Sequence, residues 1–503
     1  MSFMNDLKAT LDENSFAYTE NGALGFSTSG KNLLDLNFAV TSFRNKPDKA
    51  IEDAFAKAFY EDKLLALKWL FFARDREQGI GERRLFKVCL KWLAVEQPEI
   101  AKAVFGLAPY FGRFDDLWCL LDTELHEEVL TIVMKQLKED IENCKQEKPI
   151  SLLAKWLCSP NASSKETRRL AKIIYTGIGL TERQYRKTLS TLRKYLKVVE
   201  VKMSAKEWGE IDYNAVPSRA NLIYNGAFLR NDEERRRAYL AALERGDKNV
   251  KINASVLFPD DIVHKYSSHG WSVSVKSFDA TLEELWKALP TLSSENTLVV
   301  RDGSGSMTCC NGKPLDVSTA LAIYMAERNQ GEFHNQFITF SRVPKIIDLN
   351  GLNTLHDKLA KTYREDDCSN TDIEAVFRLI LQTAISHKMT QEDMPKNIVI
   401  VSDMQFDGSR FNCKDTLFGA IGKEYAKYGF ALPRLIFWNV ASDSRSNTIP
   451  VQQNAMGVVL MSGYSQNLIK MVMSNQTDPY KCLIEQLNSE RYQIVEEAVK
   501  DAI

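Results

Sequence analysis

Two short apolar runs constrain this chain more than anything else in it, because each ends on a carboxylate. Thr297-Leu298-Val299-Val300 leads into Asp302-Gly303-Ser304-Gly305-Ser306, and Asn397-Ile398-Val399-Ile400-Val401 leads into Ser402-Asp403. Runs this short and this rich in β-branched residues fit strands buried on both faces better than helices. Strand candidates are 297–302, 334–340, 397–402, 433–440 and 456–460, and helix candidates are 315–329, 371–387, 414–428 and 465–475. That alternation predicts an α/β, doubly wound parallel sheet. In such a sheet ligands gather at the carboxyl ends of the strands, so both carboxylates and the intervening hydroxyls fall at one edge. Arg301 stands where an apolar residue is expected, which points to an early end for the first strand.

Upstream the texture differs. Residues 1 to about 275 read as almost wholly helical, with apolar residues at helical spacing in 64–72, 82–94, 124–143, 165–175 and 181–199. Successive amphipathic helices with short joints are what an α-solenoid of HEAT-like repeats requires. No clean repeat period is present. The expected division is a helical-repeat domain at 1–275, a linker at 276–295, the α/β domain at 296–478 and one C-terminal helix at 479–503.

Composition narrows the class. With 44% hydrophobic and 26% charged residues, the 503-residue chain reads as an ordinary globular protein. A formal net charge of −1 means that any affinity for nucleic acid comes from local patches. No apolar run reaches membrane-spanning length and the N-terminus lacks a signal pattern, so no membrane is expected, and the cytoplasm is the expected compartment. The nine cysteines include no C-x-x-C pair, which argues against a disulfide framework or a zinc cluster; Cys309 and Cys310 are read as incidental. The six histidines are scattered, and each is read as structural or surface. No catalytic constellation is recognisable, so an enzyme is not expected.

An Asp and two Ser at alternate positions offer the hard oxygen ligands that Mg²⁺ or Mn²⁺ prefers. The residue-level alternative is a turn whose side chains bond their own backbone, with Asp403 as a helix N-cap. The ordered set Asp302, Ser304, Ser306, Thr371 and Asp403 resembles the metal-ion-dependent adhesion site (MIDAS) of von Willebrand factor A (VWA) domains. That resemblance implies a Mg²⁺ or Mn²⁺ ion held by these five residues, directly or through water, with one position open to a partner's Asp or Glu. Asp372 and Asp407 would tune it from behind.

Further blocks extend the resemblance. They include Thr28-x-Gly30-x-x-Leu33-Leu34-Asp35-Leu36, Arg74-Asp75-Arg76-x-x-Gly79-x-Gly81-Glu82-Arg83, Tyr110-Phe111-Gly112-Arg113-Phe114-Asp115-Asp116-Leu117, Phe437-Trp438-Asn439 and Ser462-Gly463-Tyr464. Together they resemble a family known only as a domain of unknown function. The architecture, helical repeats followed by a VWA domain, is similar to the Ro/TROVE ribonucleoproteins. That second resemblance implies a ring of helical repeats, closed by the VWA domain, that binds small noncoding or single-stranded RNA without catalysis.

The residues offer one surface for RNA independently. Between 165 and 206 there are twelve Lys or Arg and only Glu166, Glu182 and Glu200. Tyr185, Leu189, Leu192 and Leu196 form an apolar stripe, and Arg186, Ser190, Arg193 and Lys197 follow one residue later, about 100° round the helix. Lys187 and Lys194 widen this face, and Arg168, Arg169 and Lys172 precede it. A solvated helix face paired with acidic neighbours fits the same pattern. Arg74, Arg76, Arg83 and Arg84 either add a second contact or, for the first two, pair with Asp75, Glu77 or Glu82. The expected function is thus a Ro-like RNA-binding scaffold whose metal site serves ring closure or partner recognition. A metal-dependent protein adaptor that never meets RNA is the alternative, and a metal-dependent hydrolase the outsider. A monomer is the expected state.

Overall fold

The computed structural model describes residues 16–270, 272–292, 296–340, 343–366, 370–408, 416–441, 448–474, 476 and 478–503. The chain forms a mostly helical region followed by a largely parallel α/β sheet. It packs as two compact units, Met1–Ala66 with Leu257–Ser489 and Leu67–Val256 with Glu490–Ile503.

The first unit contains ten strands among the described residues. A hairpin, β1 (Phe16–Tyr18) and β2 (Leu24–Phe26), opens it, and a second, β3 (Ser267–His269) and β4 (Val273–Val275), precedes the main sheet. Neither hairpin is expected from the helical texture of 1–275. The main sheet comprises β5 (Thr297–Asp302), β6 (Gln336–Phe340), β7 (Lys345–Asp348), β8 (Asn397–Ser402), β9 (Arg434–Asn439) and β10 (Val458–Ser462). Their spatial order is β10-β9-β8-β5-β6-β7. All neighbours are parallel except β7, which runs antiparallel to β6. The chain moves outward from β5 in both directions, so the switch point of the sheet lies between β5 and β8, where ligands bind in open α/β folds.

Burial explains these strands. Every residue of β5 is buried, and Ile398, Val399, Ile400 and Val401 of β8 are each 0% exposed. Each such side chain stabilises the fold by about 1.5–3 kcal/mol. Arg301 does not end β5, which runs through Asp302. Its buried guanidinium is satisfied instead by Asp366 Oδ1 and Oδ2 at 2.5 and 2.9 Å and by Thr319 Oγ1 at 2.9 Å.

The N-terminal residues belong to this unit rather than to the helical one. Phe26 and Ile449 exchange both backbone hydrogen bonds at 2.8 Å. Asn439 Nδ2 donates to Phe38 O at 2.8 Å, and the Thr41 and Ser462 hydroxyls lie 3.0 Å apart. Asp35 accepts from Thr28 Oγ1 at 2.5 Å and Ser29 N at 2.8 Å, which accounts for the Thr28–Asp35 spacing noted in the sequence.

The second unit is helical throughout its described length. Helix Arg84–Glu96 packs on Pro98–Val104, and His126–Lys145 packs on both Lys165–Gly177 and Glu182–Tyr195. The chain end contributes here: Tyr492 stacks on Phe111 at 5.6 Å, and Arg491 holds Asp75 through two bonds of 2.5 and 2.9 Å. The single C-terminal helix expected over 479–503 is instead two, Pro479–Leu487 and Gln493–Val499, broken by a 3₁₀ turn at Glu490–Tyr492. Arg491 and Tyr492 are taken up by Asp75 at this break, so one straight helix would lose both contacts.

Candidate metal centre and basic helical face

The oxygen-rich loop follows directly from where β5 stops. Asp302 is the last strand residue, and its Oδ1 accepts from Ser304 N at 2.9 Å while Oδ2 accepts from Ser402 Oγ at 2.5 Å. The Ser304 and Ser306 hydroxyl oxygens lie 3.0 Å apart. A side chain at Gly303 would approach Asp366 Oδ1 to 2.7 Å and the Arg301 guanidinium to 3.0 Å, so the tight turn requires glycine. Because Arg301 registers with Val401, the ends of β5 and β8 lie side by side. Asp403 follows immediately, buried to 6% exposure, with its Oδ1 accepting from Gln405 N at 3.2 Å.

Thr371 is bonded to the segment that follows β8. Its Oγ1 is 2.7 Å from Gln405 O and 2.8 Å from Asp407 Oδ1, and it accepts from Asn21 Nδ2 at 2.9 Å. Asp407 thus touches an expected ligand. Asp372 caps the next helix, Ile373–Ser386, by accepting from Ala375 N at 2.9 Å. Asn21 is a residue that the motif does not reveal; its place is set by the β1–β2 turn, where Gly22 bridges to Asp407.

The donor set fits a hard divalent cation. Burial pushes the Asp302 carboxyl above the ordinary carboxylate range, and hydrogen bonds from Ser402 and Ser304 with the Arg301 charge only partly offset it. A bound cation would favour the ionised form that burial opposes.

The basic face fares differently. Helix Glu182–Tyr195 starts at a capping box in which Thr181 and Gln184 bond reciprocally. Tyr185, Leu189 and Leu192 are buried as the stripe requires. Arg193, however, turns inward: its guanidinium donates to Ala154 O, Leu157 O and Ser159 Oγ at 2.7–2.9 Å. Arg169 is held between Asp122 and Glu166 at 2.7–2.8 Å. Arg168 donates to Ala162 O and Ser163 O at 2.6 and 2.8 Å, and Arg186 lies 3.9 Å from Glu182. Lys172, Lys187, Lys194 and Lys197 are exposed and form no ion pair with a described residue. Lys187 and Lys194 are seven residues apart, about 20° round the helix.

In the second cationic cluster only Arg74 is buried, and Arg84 is exposed. Arg74 pairs with Asp116 at 2.7 Å, both buried, Arg83 also holds Asp116 at 3.0 Å, and Arg76 donates to Val256 O at 2.9 Å. For Arg74 the partner is Asp116 rather than one of the neighbouring acids that the sequence suggests. The histidines are not all scattered either, since His264 and His269 converge on Asp316. Among the described residues no helix is long and apolar enough to cross a membrane.

A domain of unknown function designated DUF7788 matches residues 296–501, and a second, DUF2828, matches residues 19–104 and 123–292. An uncharacterized protein of Acanthamoeba polyphaga mimivirus is 28% identical over 499 residues, covering 91% of this chain and 84% of that protein. The crystal structure of the Deinococcus radiodurans RO (RSR) protein is similar at 14% identity and a TM-score of 0.34, over 86% of this chain and 92% of that one. The DUF2828 match takes in just over half of the 503 residues, and the chain belongs to that family.

Proposed function

We infer that the protein is a non-catalytic, RNA-binding scaffold that recognises a second, carboxylate-bearing partner through Mg²⁺ or Mn²⁺ at Asp302, Ser304, Ser306, Thr371 and Asp403. The observation that carries the RNA reading is the exposed lysine set Lys172, Lys187, Lys194 and Lys197 beside the buried Tyr185, Leu189 and Leu192. A buried stripe fixes the helix while the opposite side keeps mobile cations for phosphates, which recognise charge rather than sequence. The architectural resemblance to Ro/TROVE proteins, helical repeats followed by an α/β domain, points the same way. Small noncoding or single-stranded RNA is the substrate class that this resemblance implies.

Fluorescence anisotropy with a single-stranded oligonucleotide and with a structured small RNA, titrated across salt, tests this reading. Four phosphate contacts give a slope of log affinity against log salt of about −3 for the single strand. No binding at low salt overturns it.

One observation favours the protein-adaptor alternative. Asp302, Ser304 and Ser306 follow β5 at the switch point, Asp403 follows the adjacent β8 and Thr371 bonds to Gln405 O beyond it, whereas half of the expected RNA-binding side chains are engaged internally. On that reading Mg²⁺-dependent capture of an acidic peptide persists without RNA and is lost in Asp302→Ala.

A further inference from the structure

Two of the six histidines meet one buried carboxylate. His264 lies in helix Pro259–Tyr266, His269 ends β3, and Asp316 lies in helix Cys309–Arg328. His264 Nδ1 is 2.6 Å and His269 Nε2 is 3.0 Å from the same atom, Asp316 Oδ2. The two rings stack with centroids 6.0 Å apart. One ligand atom from each of the three residues lies within 4.8 Å of the other two. Asp316 is fully buried and the His269 side chain is 11% exposed, while His264 is 39% exposed.

The surroundings are built to hold this arrangement. The Tyr363 hydroxyl donates to Asp316 Oδ1 at 3.3 Å and is itself 2.9 Å from Ser267 Oγ, which fixes the carboxylate from behind. On the other side Cys310, Asn311 and Gly312 adopt successive φ values of 51°, 59° and 70°. A side chain at Gly312 would come within 2.1 Å of His269 Nδ1, so the imidazole sits there only because the position is glycine. Runs of strained backbone of this kind persist where the surrounding structure enforces them. His269 Nδ1 is buried and has no hydrogen-bond partner.

Two neutral imidazoles and one carboxylate form a ligand set for Zn²⁺ and related transition-metal ions, not for Mg²⁺. One oxygen shared between two imidazole N–H groups is the protonated counterpart of such a centre. Metal–ligand bonds of about 2.0–2.1 Å place tetrahedral ligands roughly 3.3 Å apart, so the two nitrogen–oxygen separations of 2.6 and 3.0 Å need to open by only about 0.7 and 0.3 Å. We propose that His264, His269 and Asp316 bind a single Zn²⁺-class ion, separate from the oxygen site at Asp302, with a fourth position open on the exposed side of His264. The ion acts as a clasp between the β3–β4 hairpin, the Pro259–Tyr266 helix and the helix whose Ser318 donates to Asp302 O at 3.0 Å.

The test is titration of chelator-treated full-length protein with Co²⁺ and Zn²⁺ in excess Mg²⁺, read by visible absorption and calorimetry. One equivalent of Co²⁺ is expected, with d–d bands, no thiolate charge-transfer band, and complete displacement by Zn²⁺. His264→Gln weakens binding on the order of 100-fold, the upper end of what loss of a supporting group alone costs. Asp302→Ala leaves it unchanged. Absence of stoichiometric Co²⁺ uptake by the wild-type protein overturns the proposal, as does a thiolate band, which would place the ion on cysteine. Because both readings come from the wild-type protein, neither depends on whether a variant folds.

Discussion

The sheet edge of the α/β unit and the basic face of the helical unit start from equally suggestive sequence patterns and end differently. At the sheet edge Asp302, Ser304, Ser306, Thr371 and Asp403 all arrive at the loops beside the switch point. On the helical face, Arg169 and Arg193 are drawn into intramolecular partners, while four lysines stay in solvent. The difference is physical. A short Asp or Ser tied to a strand end has nowhere else to go, whereas a long guanidinium with five donors finds carbonyls and carboxylates within its reach. Charge counted along a helix therefore overstates the surface available to a partner.

The largest expected effect lies in the helical unit. Asp116→Ala leaves the buried Arg74 guanidinium without its carboxylate, and denaturant unfolding should show a loss of roughly 3–5 kcal/mol. Next, Lys187→Glu, Lys194→Glu and Lys197→Glu together should weaken RNA binding at least tenfold and flatten the salt slope by about 2. Arg193→Gln should do the reverse, costing about 2–3 kcal/mol of stability through its hydrogen bonds while moving RNA affinity little. If Arg193→Gln weakens RNA binding as much as the lysine variant, the contrast between the arginines and the lysines fails.

At the sheet edge the expected shift is of similar size and depends on metal. Mg²⁺ at a hundredfold excess over its Kd should stabilise the protein by about 2.7 kcal/mol, and Asp302→Ala should abolish the shift in thermal unfolding. Asp302→Asn sharpens the point. A carboxyl whose folded pKa is raised binds its proton more tightly in the native state, so without metal it adds stability as the pH falls and costs stability at neutral pH. The neutral amide removes that cost, so in chelator Asp302→Asn should melt about 1 °C higher for each kcal/mol recovered, and should not respond to Mg²⁺. The smallest effect belongs to Arg169→Gln, whose exposed ion pairs should leave both melting temperature and RNA affinity essentially unchanged.

The sheet was legible because buried parallel strands announce themselves as continuous apolar runs. β7 escaped because Lys345-Ile346-Ile347-Asp348 is a short edge strand with Ile346 61% exposed, which carries no clear period. The β1–β2 hairpin escaped because its strands are three residues long and its partner, Ile449, lies more than 400 residues away. The positions of Asp302, Ser304, Ser306, Thr371 and Asp403 at strand ends and loops followed from the apolar runs and the motif resemblance, whereas Asn21 and the His264–His269–Asp316 cluster depend on tertiary packing. The fate of Arg193 is set by the 154–159 segment, which no inspection of its own helix reveals.

Ultraviolet cross-linking of bound RNA followed by peptide mapping tests the central claim most directly. The account predicts cross-links concentrated between residues 165 and 206, on peptides that carry Lys172, Lys187, Lys194 and Lys197, and their loss at high salt. Cross-links confined to other segments, or none above background with RNA in excess, would contradict it and leave the metal-dependent adaptor as the better description.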